Sequence, residues 1–441
     1  MSLLSTNKQY KLGGALVATL ALSVSVLATP ALAQDTTPAA DPAFLFNTLL
    51  FLIGGILVVW MAAGFAMLEA GMVQAKNVSM QCTKNIALYS IAGLVFWLIG
   101  YNVMYEGVDG GYIGSFLPKD IPDPAKDSGD YAAASDWFFQ MAFCATAASI
   151  VSGTLAERIK LWPFLIFVAL LCGIIYPIVG AWTWGEGFLN KMGFLDFAGS
   201  SIVHSTGGWA ALAGAIILGA RSAKYQDGKL TPLPGSNMPL ATLGTFILWL
   251  GWFGFNGASQ LAFATNVDAS SVSRIFVNTN LAAAAGVVVA IALSQIIYKK
   301  VDLTFALNGA LAGLVAITAE PLTPSPVWAI IIGGIGGALV VFTVPLLDKL
   351  KIDDVVGAIP VHLMAGIWGT MAVPLTNSGA NFVTQAVGVG AIGAMVFTVS
   401  LVLWILMKVT IGIRCSAEAE RKGLDVSEIG LEAYPEFKKG F

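Results

Sequence analysis

Two acids and two histidines in this chain share one spacing. Asp196 precedes His204 by eight residues, in Asp-Phe-Ala-Gly-Ser-Ser-Ile-Val-His, and Asp354 precedes His362 by the same interval. The chain holds 2 histidines, so both belong to this pattern. Eight helical residues span about 12 Å, which sets a carboxylate near a helix start and an imidazole roughly two turns further in. The surrounding sequence is hydrocarbon, where an ionisable side chain costs roughly 2.5 kcal/mol or more and marks a functional position. Imidazole donates at one nitrogen and accepts at the other, with a proton equilibrium near neutrality. Two in contact can pass a hydrogen bond or a proton along a narrow, dry path. The plainer reading is a hydrogen-bonded core pair; the matched acids and the lack of a third histidine weigh against it. A metal ion would need a third and fourth ligand at depth. Glu69, Glu320 and the thiols are the other deep candidates, and they show no ligand spacing, so no metal and no cofactor is expected.

The acids have two compatible uses. Asp196 and Asp354 precede glycine-containing helix starts, where Asp is a good N-cap. A buried carboxylate can also shape the field at a cation site. Aromatic residues cluster nearby in sequence. Phe139 and Phe143 lie one turn apart on a helix face, Trp184 stands twelve residues before Asp196, and Trp252 to Ser259 closes the sixth apolar run. Taken singly, each ring reads as core or as an interface belt. Converging near one surface with the Ser259 hydroxyl, they would form a cation–π site contributing ~0.5–2 kcal/mol.

The elements that must position these residues are membrane spans. The 441 residues are 57% hydrophobic and 11% charged, with mean hydropathy +0.78. That composition excludes a soluble domain and calls for a polytopic chain in a lipid bilayer. Lys8 and Lys11, an apolar run from Leu12 to Val26 and Pro30-Ala31-Leu32-Ala33 read as a signal peptide over residues 1–33, cleaved before Gln34. An uncleaved segment would instead add a span. Cys82, Cys144, Cys172 and Cys415 show no paired spacing, so neither a disulfide framework nor a zinc site is indicated. The net charge of −3 is mild and gives no sign of nucleic-acid binding.

Eleven apolar runs are long enough to span: about 44–68, 82–105, 134–155, 161–182, 199–220, 238–257, 272–297, 303–320, 327–347, 357–376 and 384–413. With residue 34 outside, the basic residues outside are Lys119, Lys126, Lys191 and Arg274, against seventeen inside. The positive-inside rule therefore puts the N-terminus outside and residues 414–441 in a polar cytoplasmic tail. Asp196–His204 opens the fifth run and Asp354–His362 the tenth. The expected fold is an all-α membrane protein of eleven transmembrane helices, as two inverted five-helix repeats plus a C-terminal helix over 34–413. Inverted five-span repeats bring the two histidines together near the midplane from opposite faces. The 48 glycines suit close helix contact in lipid, for example Gly309-xxx-Gly313 and Gly333-xxx-Gly337.

The segment from Asp196 to His204, with Gly219-Ala220-Arg221, resembles the signature of the ammonium transporter family (Amt/MEP/Rh), in its bacterial Amt form. So do Gly64-Phe-Ala-Met-Leu-Glu-Ala-Gly71, Leu155-Ala-Glu-Arg158, Gly251-Trp-Phe-Gly-Phe-Asn256 and the tail segments Gly423-Leu-Asp-Val426 and Glu432-Ala-Tyr434. The resemblance implies a homotrimer in the plasma (inner) membrane that serves nitrogen uptake, each subunit with its own pore. It implies ammonium recruitment by Phe143, Trp184 and Ser259 with Asp196 in support, a gate of Phe143 and Phe255, and a lumen lined by His204 and His362. Ammonium/ammonia would be the substrate, methylammonium an analogue, and a PII signalling protein a partner at the cytoplasmic face. Ser205-Thr-Gly-Gly-Trp209 follows only one branch of the family. Two rivals remain: an ammonium sensor (transceptor) signalling through its tail, and an intramembrane enzyme using the histidines with Glu69 or Glu320.

Overall fold

The computed structural model describes residues 41–117, 121, 122, 124 and 127–438. The signal peptide lies outside the described residues, as do Lys119, Lys126 and Lys439 from the charge count. The rest, from Pro42 on, forms one compact helical body.

Long helices follow one another, most joined by short segments, with longer connections over 106–132 and 219–237. They are α1 (Pro42–Met72), α2 (Ala75–Tyr105), α3 (Ala133–Thr154), α4 (Leu161–Lys191), α5 (Ser200–Leu218) and α6 (Met238–Ala258). Then come α7 (Asn266–Tyr298), α8 (Leu303–Thr318), α9 (Pro326–Lys349), α10 (Ile359–Leu375) and α11 (Phe382–Thr410). Eight of these are long and apolar enough to cross a membrane, while α8 and α10 are shorter apolar helices. Many starts carry a side-chain cap, because the first backbone N–H groups have no partner inside the helix. Asn237 caps α6, Asp302 caps α8, Ser325 caps α9 and Asn381 caps α11. Thr265 and Asp268 form a reciprocal capping box at α7.

Small residues set the helix spacing. Gly54, Gly64 and Gly71 of α1 lie against the Gly244, Gly251 and Gly254 side of α6, with no room for a Cβ. Gly309 and Gly313 of α8 and Gly333 and Gly337 of α9 press on the backbone of Ala282 and Gly286 in α7. Backbone contact of this kind supplies dispersion where lipid removes the hydrophobic drive between helices. Outward positions such as Ile56, Leu94 and Val409 are exposed and apolar, as a hydrocarbon solvent allows.

One end of the body is tied by buried ions. Arg221, just past α5, clamps Asp353 through Nε at 2.8 Å and a second guanidinium nitrogen at 2.9 Å, and reaches Glu157 at 2.7 Å. Arg158 donates to the Asp353 carbonyl at 2.6 Å. The segment after α11 folds back onto this same end. Cys415 N–H donates to the Arg158 carbonyl at 3.0 Å. Met80 N–H donates to Asp425 Oδ1 at 2.8 Å, and Leu424 N–H to Asn77 Oδ1 at 2.9 Å. Arg414 pairs with Glu420 at 2.8 Å.

Candidate functional site

The site is built by the starts of α5 and α10. Asp196 Oδ1 accepts from Ser200 N–H at 2.7 Å, and Oδ2 accepts from Ser201 and Ile202 N–H at 2.8 Å each. Asp354 does the same for α10, accepting from Gly357 at 3.2 Å and Ile359 at 2.7 Å, and from the Thr154 hydroxyl at 3.0 Å. So both acids are helix caps. Each is followed three residues later by a glycine in the left-handed region, Gly199 at φ 104° and Gly357 at φ 82°. Only glycine takes that turn without strain, and it lets the chain pass from carboxylate to helix. Both helices then open in π-helical turns, Ser200–Ser205 and Ile359–Met364, and each turn carries its histidine. Such wide turns are rare and concentrate at functional sites.

The two helices point in opposite senses. Asp196 opens α5 at one end of the body, and Arg221 follows α5 at the other. Asp354 opens α10 beside Thr154 at the Arg221 end, and Asn377 follows α10 at the Asp196 end. The imidazoles meet between, Nδ1 to Nδ1 at 3.2 Å, with ring centroids 5.2 Å apart. Both are buried. A hydrogen bond between facing Nδ1 atoms needs one to donate and the other to accept. The neutral pair therefore holds opposite tautomers, and His204 Nε2 has no partner of its own.

A column of rings leads to this pair. Phe255 lies 5.2 Å from His204 and stacks on Phe143 at 3.9 Å and 21°. Phe143 meets Trp184 edge-on at 6.0 Å and Phe139 at 4.6 Å. Trp184 is fixed by donating Nε1–H to the Asp196 backbone carbonyl at 3.1 Å, and Ser259 Oγ donates to the Phe255 carbonyl at 2.8 Å. Beyond the stack opens a cavity of about 870 Å³, lined in part by Phe143, Trp184, Asp196 and Ser259. Phe255 and the histidines do not line it, so the stacked pair stands between the cavity and His204. On the far side His362 shares a void of about 10 Å³ with Phe65 and Glu69, the room of one water. A second cavity of about 330 Å³ lies past it, at Asp354 and Gly357. Two cavities thus lie on opposite sides of the histidine pair, with the stacked rings towards one and a one-water void towards the other.

The structure brings Phe143, Trp184, Asp196, Ser259, Phe255, His204 and His362 together in one cluster. Three neighbours carry no role assigned from sequence. Trp252 stacks on His204 at 5.0 Å and 18°, held by its Nε1–H to Thr318 at 2.8 Å. Asp136 and Gln140 line the large cavity together with Glu320. Trp252 was visible as part of its motif, but nothing in a linear sequence brings it to a histidine 48 positions away. Glu69 Oε2 accepts from Gln81, from Asn85 at 3.1 Å and from Ser152 at 2.7 Å, while Oε1 has no hydrogen-bond partner.

The profile of the Ammonium Transporter Family matches residues 49–434. The chain is 41% identical over 421 residues to "Ammonium transporter Amt2" of Archaeoglobus fulgidus, covering 88% of this chain and 87% of that one. It is 41% identical over 423 residues to "Putative ammonium transporter sll1017" of Synechocystis, covering 95% and 94%. Among solved structures it is similar to "Sensor Amt Protein", with TM-score 0.83 and 36% identity over 87% of this chain and 98% of that one. It is also similar to Candida albicans Mep2, with TM-score 0.75 and 26% identity over 84% and 86%. Its named relatives are transporters, which points to transport rather than enzymatic turnover. A helical multi-pass body of this kind, matched along nearly its whole described length, belongs to the ammonium transporter family.

Proposed function

We propose that this protein recruits ammonium at its Trp184 cavity, removes a proton there, and conducts ammonia between His204 and His362. The carrying observation is the 3.2 Å imidazole pair closed off by the stacked Phe143 and Phe255. A bare ammonium ion in such a passage would lose its water with few replacements, at an expense of tens of kcal/mol by Born estimates. Ammonia escapes most of that penalty. The aromatic faces of Phe143 and Trp184 attract the cation, the Ser259 oxygen accepts an N–H, and the buried Asp196 carboxylate favours positive charge at the mouth. The released proton goes to outer water or to the imidazole pair, and its destination sets the net charge moved. Potassium resembles ammonium in charge but has no proton to lose, so it stops at the rings.

The wider assignment follows. α3 joins α8, α10 and the eight apolar helices to give eleven spans, as two inverted five-helix repeats and α11. The repeated acid, glycine and histidine positions and the opposed senses of α5 and α10 support it. The protein sits in the plasma membrane as a homotrimer, its N-terminus outside after loss of residues 1–33 and residues 414–441 at the cytoplasmic face. There the folded-back tail presents a surface for a PII signalling protein. The likeness to "Sensor Amt Protein" favours one second reading, an ammonium sensor acting through that tail.

Uptake of labelled methylammonium by vesicles holding the reconstituted protein tests the proposal; uptake no faster than in empty vesicles would reject it. In the same assay Trp184→Leu should raise the half-saturating concentration about threefold to tenfold, the size of one cation–π contact. An unshifted curve would remove Trp184 from recruitment. Deleting residues 415–441 should leave the pore conducting and alter its control. Loss of the assembled trimer on that deletion would make the tail structural instead.

A further inference from the structure

The large cavity holds a carboxylate that the recruitment site does not use. Asp136, Gln140 and Phe143 sit at i, i+4 and i+7 on α3, so they share a face, and all three line the cavity. Asp136 lies about 10 Å along the axis from Phe143. It is 9% exposed. Its Oδ2 accepts from the Tyr101 phenol at 2.6 Å, and Gln140 is its other side-chain partner. Helix capping does not explain it, because the first N–H of α3, that of Ala133, goes to Asp127. Nor does an ion pair, since no Lys or Arg lines the cavity among the described residues. Of the other acids there, Glu186 is exposed, and the two more deeply set ones are committed. Asp196 caps α5, and Glu320 accepts from Thr323 N–H at 3.1 Å and Asn377 at 2.7 Å.

A second observation points to a ligand. Gln140 and Thr183 are 8% and 5% exposed and line the same cavity. Gln140 Oε1 and Thr183 Oγ1 have no hydrogen-bond partner. A buried oxygen without a donor is expensive, and a cation carrying several N–H groups answers both that need and the Asp136 charge.

We propose that Asp136, with Gln140 Oε1, forms a second holding site for a small ammonium-class cation, placed before the Phe143–Trp184 site. This rests on the ammonium reading of the cavity. The cation leaves water in two stages, first gaining a carboxylate and an amide oxygen, then the aromatic faces. The Tyr101 phenol and the Gln140 amide orient the Asp136 carboxylate and leave it further acceptor positions. Such a site raises the local cation concentration without touching the passage itself.

The test is the concentration dependence of methylammonium uptake by reconstituted full-length protein carrying Asp136→Asn, with Asp136→Glu beside it. Asp136→Asn should raise the half-saturating concentration about tenfold, as the loss of one charge-assisted contact would, with the maximal rate unchanged. Asp136→Glu should restore most of it. A half-saturating concentration unchanged in Asp136→Asn, with or without a lower maximal rate, overturns the second site. Should Asp136→Asn not assemble, Gln140→Met replaces it, with a threefold rise expected and no shift overturning the proposal. Wild-type protein that takes up no methylammonium would refute the transport reading itself, a separate outcome.

Discussion

With His204 and His362 both replaced by alanine, the protein still folds, but its methylammonium uptake falls by at least about tenfold, some 1.4 kcal/mol or more in barrier height. The rings are buried beside Trp252, Phe255 and Phe65, and they place paired nitrogens between the two cavities. Without them a neutral hydrogen-bonding solute crosses a wholly apolar gap. Each truncation also opens a cavity, at an expense of roughly 2–5 kcal/mol for a large buried side chain. A body with this many helix contacts should tolerate that in detergent, and the same sample's elution as an assembled species checks it. Because each Nδ1 serves the other, the two positions act as a unit. His204→Ala alone should therefore lose about as much as the double variant, rather than half. Uptake at the wild-type rate in the double variant would remove the histidines from the passage.

Arg221→Ala should be the most damaging single change to stability. It strips the partner from Asp353, which is 0% exposed, and from Glu157, which is 3% exposed. Breaking a buried pair by deleting one member costs about 3–5 kcal/mol, because the remaining charge stays out of water. Burial pushes the Asp353 carboxyl up, but the Arg221 hydrogen bonds and the charges of Arg158 and Arg221 outweigh it and hold the group well below the usual carboxylate range. A carboxylate depressed in the folded state stabilises at every pH above its unfolded value, about 4, and loses that contribution as pH falls through the folded value. The wild-type melting temperature should thus gain nothing from this group on raising pH from 5 to 8, and should lose its contribution only in stronger acid. Arg221→Lys keeps the charge and loses the two-pronged geometry, so its melting temperature should fall between the two. An Arg221→Ala protein that melts with the wild type would show the network to be dispensable.

How much of this was legible in sequence depends on the range of the signal. The spans, the acid–histidine spacing and the aromatic motifs are local, and apolar runs leave little else for a chain to do. One run end was less secure: α2 starts at Ala75 rather than near 82, whereas the helix expected to end at 182 stops at Thr183, with a separate short helix, Phe188–Lys191, beyond it. Joints in turn conformation and half-helical loops do not change the apolar count. The glycine three residues after each acid was also in plain view, though its left-handed turn shows its purpose only in three dimensions. The opposed senses of α5 and α10 could be inferred from an odd number of spans. Basic residues misled in one respect. Lys84, Arg158 and Arg221 enter the inside count as if they were loop charges, yet all three are buried, and two of them bind Asp353. Asp353 itself was hidden beside Asp354, since neighbouring acids in a helix-free joint point to different partners and no periodicity separates them. Asp136 and Tyr101 are 35 positions apart, and only the fold brings a phenol to that carboxylate.

The central claim is that a cation crosses here only by giving up a proton. The direct test sets labelled rubidium beside labelled methylammonium in the same reconstituted vesicles, under equal inward gradients. Methylammonium should enter and rubidium, which has no proton to shed, should stay at the level of empty vesicles. Rubidium entering at a comparable rate would mean that intact cations pass between His204 and His362, and the account would fail.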